Sequence, residues 1–238
     1  MSRKNNFFKN TIGAWIQLDS ITILKIIETK KFDWICFDLE HGCTDLRNIS
    51  KYLNVLSLSK KKKLIRINVT EIEKIPYYLD QGVDGFIIAN ISRADQLKTS
   101  FELCNYPPLG KRGLGFSISN NFSFQNIKLN FRPYLIPIIE NKTAIENINE
   151  ICSTKIIDGI FIGPVDLSMS LLGKIDFENK FFKKSIKNIL TVADKNNVLC
   201  GSHLIDDNKK KIIEMKKQGF SFVAYSTDSY ILNKYYSI

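Results

Sequence analysis

The residues of this chain that could do chemistry recur where its short apolar runs stop. Asp38, Glu40 and His41 follow one run, Arg66 sits inside another, and Asn90 closes a third. Glu140 ends a fourth, Gly163-Pro164-Val165-Asp166 a fifth, Ser202 and His203 lie in a sixth, and Ser226 and Asp228 follow a seventh. Glu140 and Asp166 have no Cys or His cluster beside them, so as a pair they are hard oxygen ligands. Such ligands suit Mg2+ or Mn2+, with substrate oxygens and water completing the shell. The other reading makes each carboxylate an N-cap, because Thr143-Ala-Ile and Leu167-Ser look like helix starts. His41, one of two histidines, can serve as a general base near neutral pH, or it is a packed or surface ring. Arg66 carries a permanent charge within an apolar run, so it faces a ligand or pairs with Asp38 or Glu40.

These positions presuppose elements that hold them together. Apolar runs cover residues 12–18, 34–39, 64–69, 86–89, 134–139, 159–163, 198–204 and 220–225, with amphipathic stretches between them. Runs bounded by turn residues fit parallel strands buried on both faces. Eight of them alternating with helical patterns predict a single α/β domain over 1–238, a (β/α)8 TIM barrel. The chain has 238 residues, and such barrels take about 250. In a barrel of this kind chemistry sits at the C-terminal ends of the strands, where the ionisable residues fall. The long connection between Asn105 and Pro133 is predicted to be functional.

Composition narrows the function classes. The chain is 44% hydrophobic and 24% charged, as a globular protein is. No run approaches the roughly 20 apolar residues of a membrane span, and the polar start lacks a secretory signal. The formal charge of +10 raises the question of nucleic acid, but the one dense basic run is Lys60–Lys63. That run is expected to close a helix, where lysines satisfy free carbonyls and the helix dipole. Five scattered cysteines without a C-x-x-C pair read as reduced, mostly buried thiols of a cytoplasmic protein. The expected partner is a small molecule, not nucleic acid or membrane.

Several segments resemble one family. Phe32-Asp-Trp-Ile-Cys-Phe-Asp-Leu-Glu-His-Gly, Leu64-Ile-Arg-Ile, Tyr78-Leu-Asp-Gln-Gly, Tyr106-Pro-Pro-Leu-Gly-Lys-Arg-Gly, Ile139-Glu140 and Asp158-Gly-Ile-Phe-Ile-Gly-Pro-Val-Asp-Leu-Ser occur in its order. They are similar to the HpcH/HpaI aldolases, metal-dependent class II pyruvate aldolases. Gly13-Ala-Trp and Phe222-Val-Ala extend the likeness over nearly the whole chain. The resemblance implies a TIM barrel in a homo-oligomer, a hexamer or trimer, that makes or breaks a carbon–carbon bond next to pyruvate. It implies Glu140 and Asp166 as ligands of Mg2+, Mn2+ or Co2+, His41 as base, and Arg66 as the group holding the pyruvyl oxygen. Gly163, Pro164, Val165 and Asp166 would bind the pyruvate end, and Asp80 would raise the basicity of the histidine.

The chain departs from the family pattern at Ile138, where a glutamine is common, and at Ala89-Asn90, where a proline is common. The tail after Asp228 is short for an exchange of C-terminal helices between subunits. Ser202 and His203 are the candidate contacts to the aldehyde half, and polar groups there suit a hydroxylated aldehyde such as a 2-keto-3-deoxy sugar acid yields. Two alternatives stand beside the aldolase: an acyl-CoA lyase of the citrate-lyase-β or malyl-CoA-lyase type, and a non-catalytic paralogue.

Overall fold

A computed structural model describes residues 7–43 and 46–236. Eight parallel strands among them close into a barrel in sequence order: β1 (Thr11–Ile16), β2 (Trp34–Asp38), β3 (Lys62–Asn68), β4 (Gly85–Ala89), β5 (Tyr134–Ile139), β6 (Ile160–Ile162), β7 (Cys200–Leu204) and β8 (Phe222–Tyr225). Each strand falls within or beside an apolar run read from the sequence, and the (β/α)8 expectation holds. The surrounding helices are α1 (Ile21–Glu28), α2 (Leu46–Val55), α3 (Ile75–Asp80), α4 (Ala94–Cys104), α5 (Lys142–Glu146), α6 (Ile148–Ser153), α7 (Pro164–Leu172), α8 (Lys180–Lys195), α9 (Lys209–Gln218) and α10 (Asp228–Tyr235). Polar side chains start many of them: Ser20, Asn141, Asn179, Asn208 and Thr227 each accept a first-turn N–H.

Strand alternation sorts the apolar residues into two cores. Ile35, Phe37, Ile65, Ile67, Phe86, Ile88, Leu135 and Ile139 point outward and pack under the helices. Trp15, Trp34, Cys36, Leu64, Ile87, Ala89, Tyr134, Ile136, Ile138, Phe161, Phe222 and Ala224 fill the barrel interior, and Phe8 plugs its base. Gly201 makes room for this filling, because a Cβ there would lie 2.3 Å from the Phe222 ring. Among the described residues these side chains fill the barrel below its C-terminal end, where a (β/α)8 barrel carries its chemistry.

The lysine run departs from expectation. Helix α2 ends at Val55, and Lys62 and Lys63 open β3, where they pair with Asp84 at 3.3 and 3.6 Å. Only Lys61 meets a helix end, donating to the carbonyl of Glu28, the last residue of α1, at 2.8 Å. The cysteines are free thiols, four of them buried and Cys43 exposed. Among the described residues no helix is long and apolar enough to cross a membrane. The connection 105–133 carries two short 3-10 turns and exposes Leu109, Leu114, Phe116, Phe122 and Phe124.

Candidate active site

The mouth of the barrel is organised by Asp38. It is paired in register with Arg66 on the next strand, and both side chains face inward. Oδ1 accepts from Arg66 Nε at 2.8 Å and from the backbone N–H groups of Glu40 and His41 at 3.1 and 3.0 Å. Oδ2 accepts from Arg66 Nη2 at 2.5 Å, Trp15 Nε1 at 3.1 Å and Gln17 Nε2 at 3.1 Å. Burial alone would raise the carboxyl's pKa, but the Arg66 hydrogen bonds and charge, with the other donors, hold it at about 2. Arg66 also pairs through Nη1 with Glu40 at 3.3 Å and lies over the Trp15 ring at 5.4 Å. The ion-pair reading of Arg66 is therefore right, and it does not exhaust the guanidinium. A guanidinium has five N–H donors. Asp38 and Glu40 occupy three of them.

Glu140 directly follows β5, in line with its inward-facing residues, and is buried. Its Oε1 accepts from the backbone N–H of Asn90 at 2.5 Å, which Asn90 presents from a left-handed turn at φ 60. Glu40 lies close, held by Asn68 at 2.8 Å and by Asn90 Nδ2 at 3.4 Å. Burial pushes the Glu140 carboxyl up to about 7; the Asn90 N–H opposes this, and the charges of Glu40 and Asp166 add to it. The expected capping role fails for Glu140, because Asn141 caps α5. Gly163 lets the two strands close here: a Cβ would lie 3.0 Å from Glu140 Oε2. Pro164 then starts α7, which puts Asp166 in its first turn, exposed at the mouth.

Two adjoining hollows open above this layer. A small one of about 70 Å³ is lined by Trp15, Arg66, Ile138, Glu140, Phe161, Gly163, Pro164, Val165, Asp166, His203 and Ile205. A wider one of about 370 Å³ shares several of these and adds Gln17, His41, Ser226, Thr227 and Tyr230. His41 is exposed on the loop after β2 and reaches only the wider hollow. Ile138 shares the small hollow with Glu140, as their spacing of two predicts. His203 lies against the Trp15 ring, centroids 5.0 Å apart, and its Nε2 is 2.9 Å from the Ser226 carbonyl oxygen. Burial, and then the Arg66 charge, lower its pKa to about 4 despite that bond.

Two expected site residues lie elsewhere. Ser202 pairs with Ile162 across β6 and β7, is buried, and donates to the Ile162 carbonyl at 3.1 Å. Strand alternation turns it away from the mouth when His203 faces in. Asp80 ends α3, just before β4 begins, and pairs with Arg112 at 2.6 Å. Barrel helices run back toward the strand starts, so within this chain Asp80 stands at the end opposite His41. Sequence reasoning also passed over Trp15, Gln17 and Asn68. Asn68 was available as the next inward residue after Arg66, two positions on; the indole of Trp15 carried no such signal.

The sequence matches the family described as HpcH/HpaI aldolase/citrate lyase over residues 11–233. A hydroxypyruvate/pyruvate aldolase of Roseobacter denitrificans is 33% identical over 165 residues, 67% of this chain and 64% of that protein. A 2-keto-3-deoxy-L-rhamnonate aldolase of Escherichia coli O17:K52:H18 is 31% identical over 165 residues, 67% of this chain and 62% of that protein. The match thus spans less than two thirds of these relatives' length. A crystallised HpcH/HpaI aldolase/citrate lyase family protein from Burkholderia cenocepacia J2315 superposes with a TM-score of 0.88 at 21% identity, over 96% of this chain and 92% of that one.

Proposed function

The chain belongs to the HpcH/HpaI aldolase/citrate lyase family, and from that premise we propose that it is a metal-dependent carbon–carbon lyase. Its reaction is the reversible cleavage of a 4-hydroxy-2-oxo acid, a 2-keto-3-deoxy sugar acid among them, to pyruvate and an aldehyde. The observation that carries this reading is the small hollow, where the Arg66 guanidinium and the Glu140 and Asp166 carboxylates line one space. Among the described residues no three His, Cys, Asp or Glu side chains form a complete metal cage. The donor set nevertheless fits a hard cation bound with substrate: burial first, and then the negative charges of Glu40 and Asp166, raise the proton affinity of Glu140. Glu140 and Asp166 would hold that ion, Mg2+ or Mn2+ with Co2+ as a further choice. When bound, a divalent cation supplies Lewis-acid stabilisation of the charge that develops on the 2-oxo oxygen.

The chain's own groups do the rest. The two N–H donors that Arg66 does not give to Asp38 and Glu40 bind the pyruvyl oxygen and stabilise the enolate left by cleavage. Asp38 keeps that guanidinium aimed, while its Oδ1 holds the N–H of His41 and so sets the start of the catalytic loop. His41 takes the proton from the C4 hydroxyl, directly or through water, and by the same route that proton returns to the enolate carbon, which leaves pyruvate and the neutral imidazole. At the N-terminus of α7 the Gly163 N–H is given to the Ile139 carbonyl at 3.3 Å and Pro164 has none, so the first-turn N–H groups of Val165 and Asp166 are the ones that suit the pyruvate carboxylate. Lysine chemistry is not needed. The exposed Phe116 and Phe124 of the 105–133 connection support assembly into a trimer or hexamer, and the free thiols support a cytoplasmic site.

The test is pyruvate release from a panel of 4-hydroxy-2-oxo acids, with and without EDTA. Metal-dependent release supports the lyase; release unaffected by chelator overturns the metal assignment. No release from any member, with the same protein cleaving an acyl-CoA substrate, favours the acyl-CoA lyase instead.

A further inference from the structure

The wall of the wide hollow holds one group whose hydrogen-bonding sense is fixed by the backbone. His203 Nε2 lies 2.9 Å from the carbonyl oxygen of Ser226. A carbonyl oxygen only accepts, so Nε2 carries the proton. The carbonyl is itself held in place: Ser226 is in the left-handed region at φ 52, and its N–H donates to Leu204 at 3.0 Å. In a neutral imidazole the other nitrogen is then a bare acceptor. The low proton affinity of this ring keeps it neutral at physiological pH. The described hydrogen bonds give Nδ1 no partner, and the ring borders both hollows.

Two of the polar side chains that line the wide hollow are engaged elsewhere. Gln17 donates to Asp38 and accepts from Ser229. Thr227 Oγ1 caps the Tyr230 N–H and bonds to the Ser229 hydroxyl. Ser226 Oγ is buried out of solvent's reach, without a hydrogen-bond partner among the described residues. Arg66 offers donors only.

We propose that His203 Nδ1 is the specificity determinant for the aldehyde half of the substrate, accepting a hydrogen bond from a hydroxyl borne next to the reacting carbonyl carbon. The inference rests on the lyase reading and adds a sense to it. A hydroxyl can satisfy a lone pair; a methyl leaves Nδ1 desolvated and unpaired; a carboxylate end sets lone pair against lone pair. A hydroxyaldehyde is therefore taken in preference to its deoxy or carboxylate-ended counterparts.

The experiment has two arms. In the first, kcat/KM for aldol addition of pyruvate is measured with glycolaldehyde, acetaldehyde and succinic semialdehyde, for the metal-loaded wild type and for His203→Leu and His203→Gln. The ratio of glycolaldehyde to acetaldehyde is expected to fall about 10-fold or more in His203→Leu. It should recover in part in His203→Gln, whose amide oxygen can accept. A ratio unchanged in His203→Leu overturns the proposal. In the second arm, ¹⁵N-histidine labelling of the wild type reports the ring tautomers, with only two histidines in the chain to assign. An Nε2–H ring for His203 at neutral pH is expected; an Nδ1–H or doubly protonated ring overturns the proposal even where a variant fails to fold. The lyase reading is judged separately by exchange of the pyruvate methyl protons in D2O, which involves no aldehyde. Absence of exchange in the metal-loaded wild type refutes that reading, whereas exchange with an unmoved aldehyde ratio refutes the His203 assignment alone.

Discussion

Replacing Asp38 by Asn keeps its shape and removes its charge, and the structure says how much that costs. Each carboxylate oxygen accepts three hydrogen bonds. In the amide one oxygen becomes an NH2 group, so three donors lose their acceptor and a buried guanidinium loses its main counter-charge. Breaking a buried pair from one side costs about 3–5 kcal/mol. A second figure follows from the depressed proton affinity of the carboxyl. The carboxyl is held at about 2, against an ordinary 3.8. At about 1.4 kcal/mol per tenfold in proton affinity this is worth about 2.5 kcal/mol. Because the folded-state value is depressed, that stability is present above pH 3.8 and lost as the pH falls through about 2. The two figures are of the same order, and they predict a loss of at least about 2 kcal/mol for Asp38→Asn at pH 7. The assay is urea unfolding followed by circular dichroism and tryptophan fluorescence, on Asp38→Asn, Arg66→Met and the double variant. With Arg66 absent, Asp38→Asn should cost far less. An Asp38→Asn protein within 1 kcal/mol of wild type, or one whose cost is the same in the Arg66→Met background, refutes the idea that this pair organises the mouth.

Three further outcomes follow from the same geometry. Glu140 is raised to about 7 from 4.5, so in metal-free protein its contribution to stability is present below pH 4.5 and lost as the pH rises through about 7. Glu140→Gln should remove this loss of about 3 kcal/mol and abolish metal-dependent turnover; parallel melting profiles over that pH range in EDTA would refute the burial-raised proton affinity of Glu140. His41→Ala should lower kcat far more than it weakens binding of pyruvate, measured by inhibition, and a mutant with wild-type kcat would remove His41 from the proton step. Ser202→Ala should leave kcat/KM and the choice between aldehydes unchanged while costing about 1 kcal/mol in urea unfolding; a change in aldehyde preference would show that Ser202 reaches the cavity after all.

Much of this molecule was legible in local patterns. Apolar runs bounded by turns mark strands because a strand inside a barrel must be apolar on both faces, and the eight runs became β1–β8. Charges at the ends of those runs marked the mouth, since burying them deeper would leave them without water. Thus Arg66, Glu140 and the Gly163–Asp166 turn were found at the correct end, and period-two spacing tied Ile138 to Glu140. What local pattern does not carry is register and which partner an atom meets. The pairing of Asp38 with Arg66 depends on how β2 slides against β3, and a shift of one residue would turn either side chain to the opposite face. The same alternation, invisible until β7 is set against β6 and β8, sends His203 inward and Ser202 outward. Asp80 depends on helix direction: the backbone returns to the strand starts before β4, so proximity in sequence to the barrel is not proximity to its mouth. The partner of His203 Nε2 is a backbone carbonyl 23 positions away, which only a closed barrel brings within hydrogen-bonding distance.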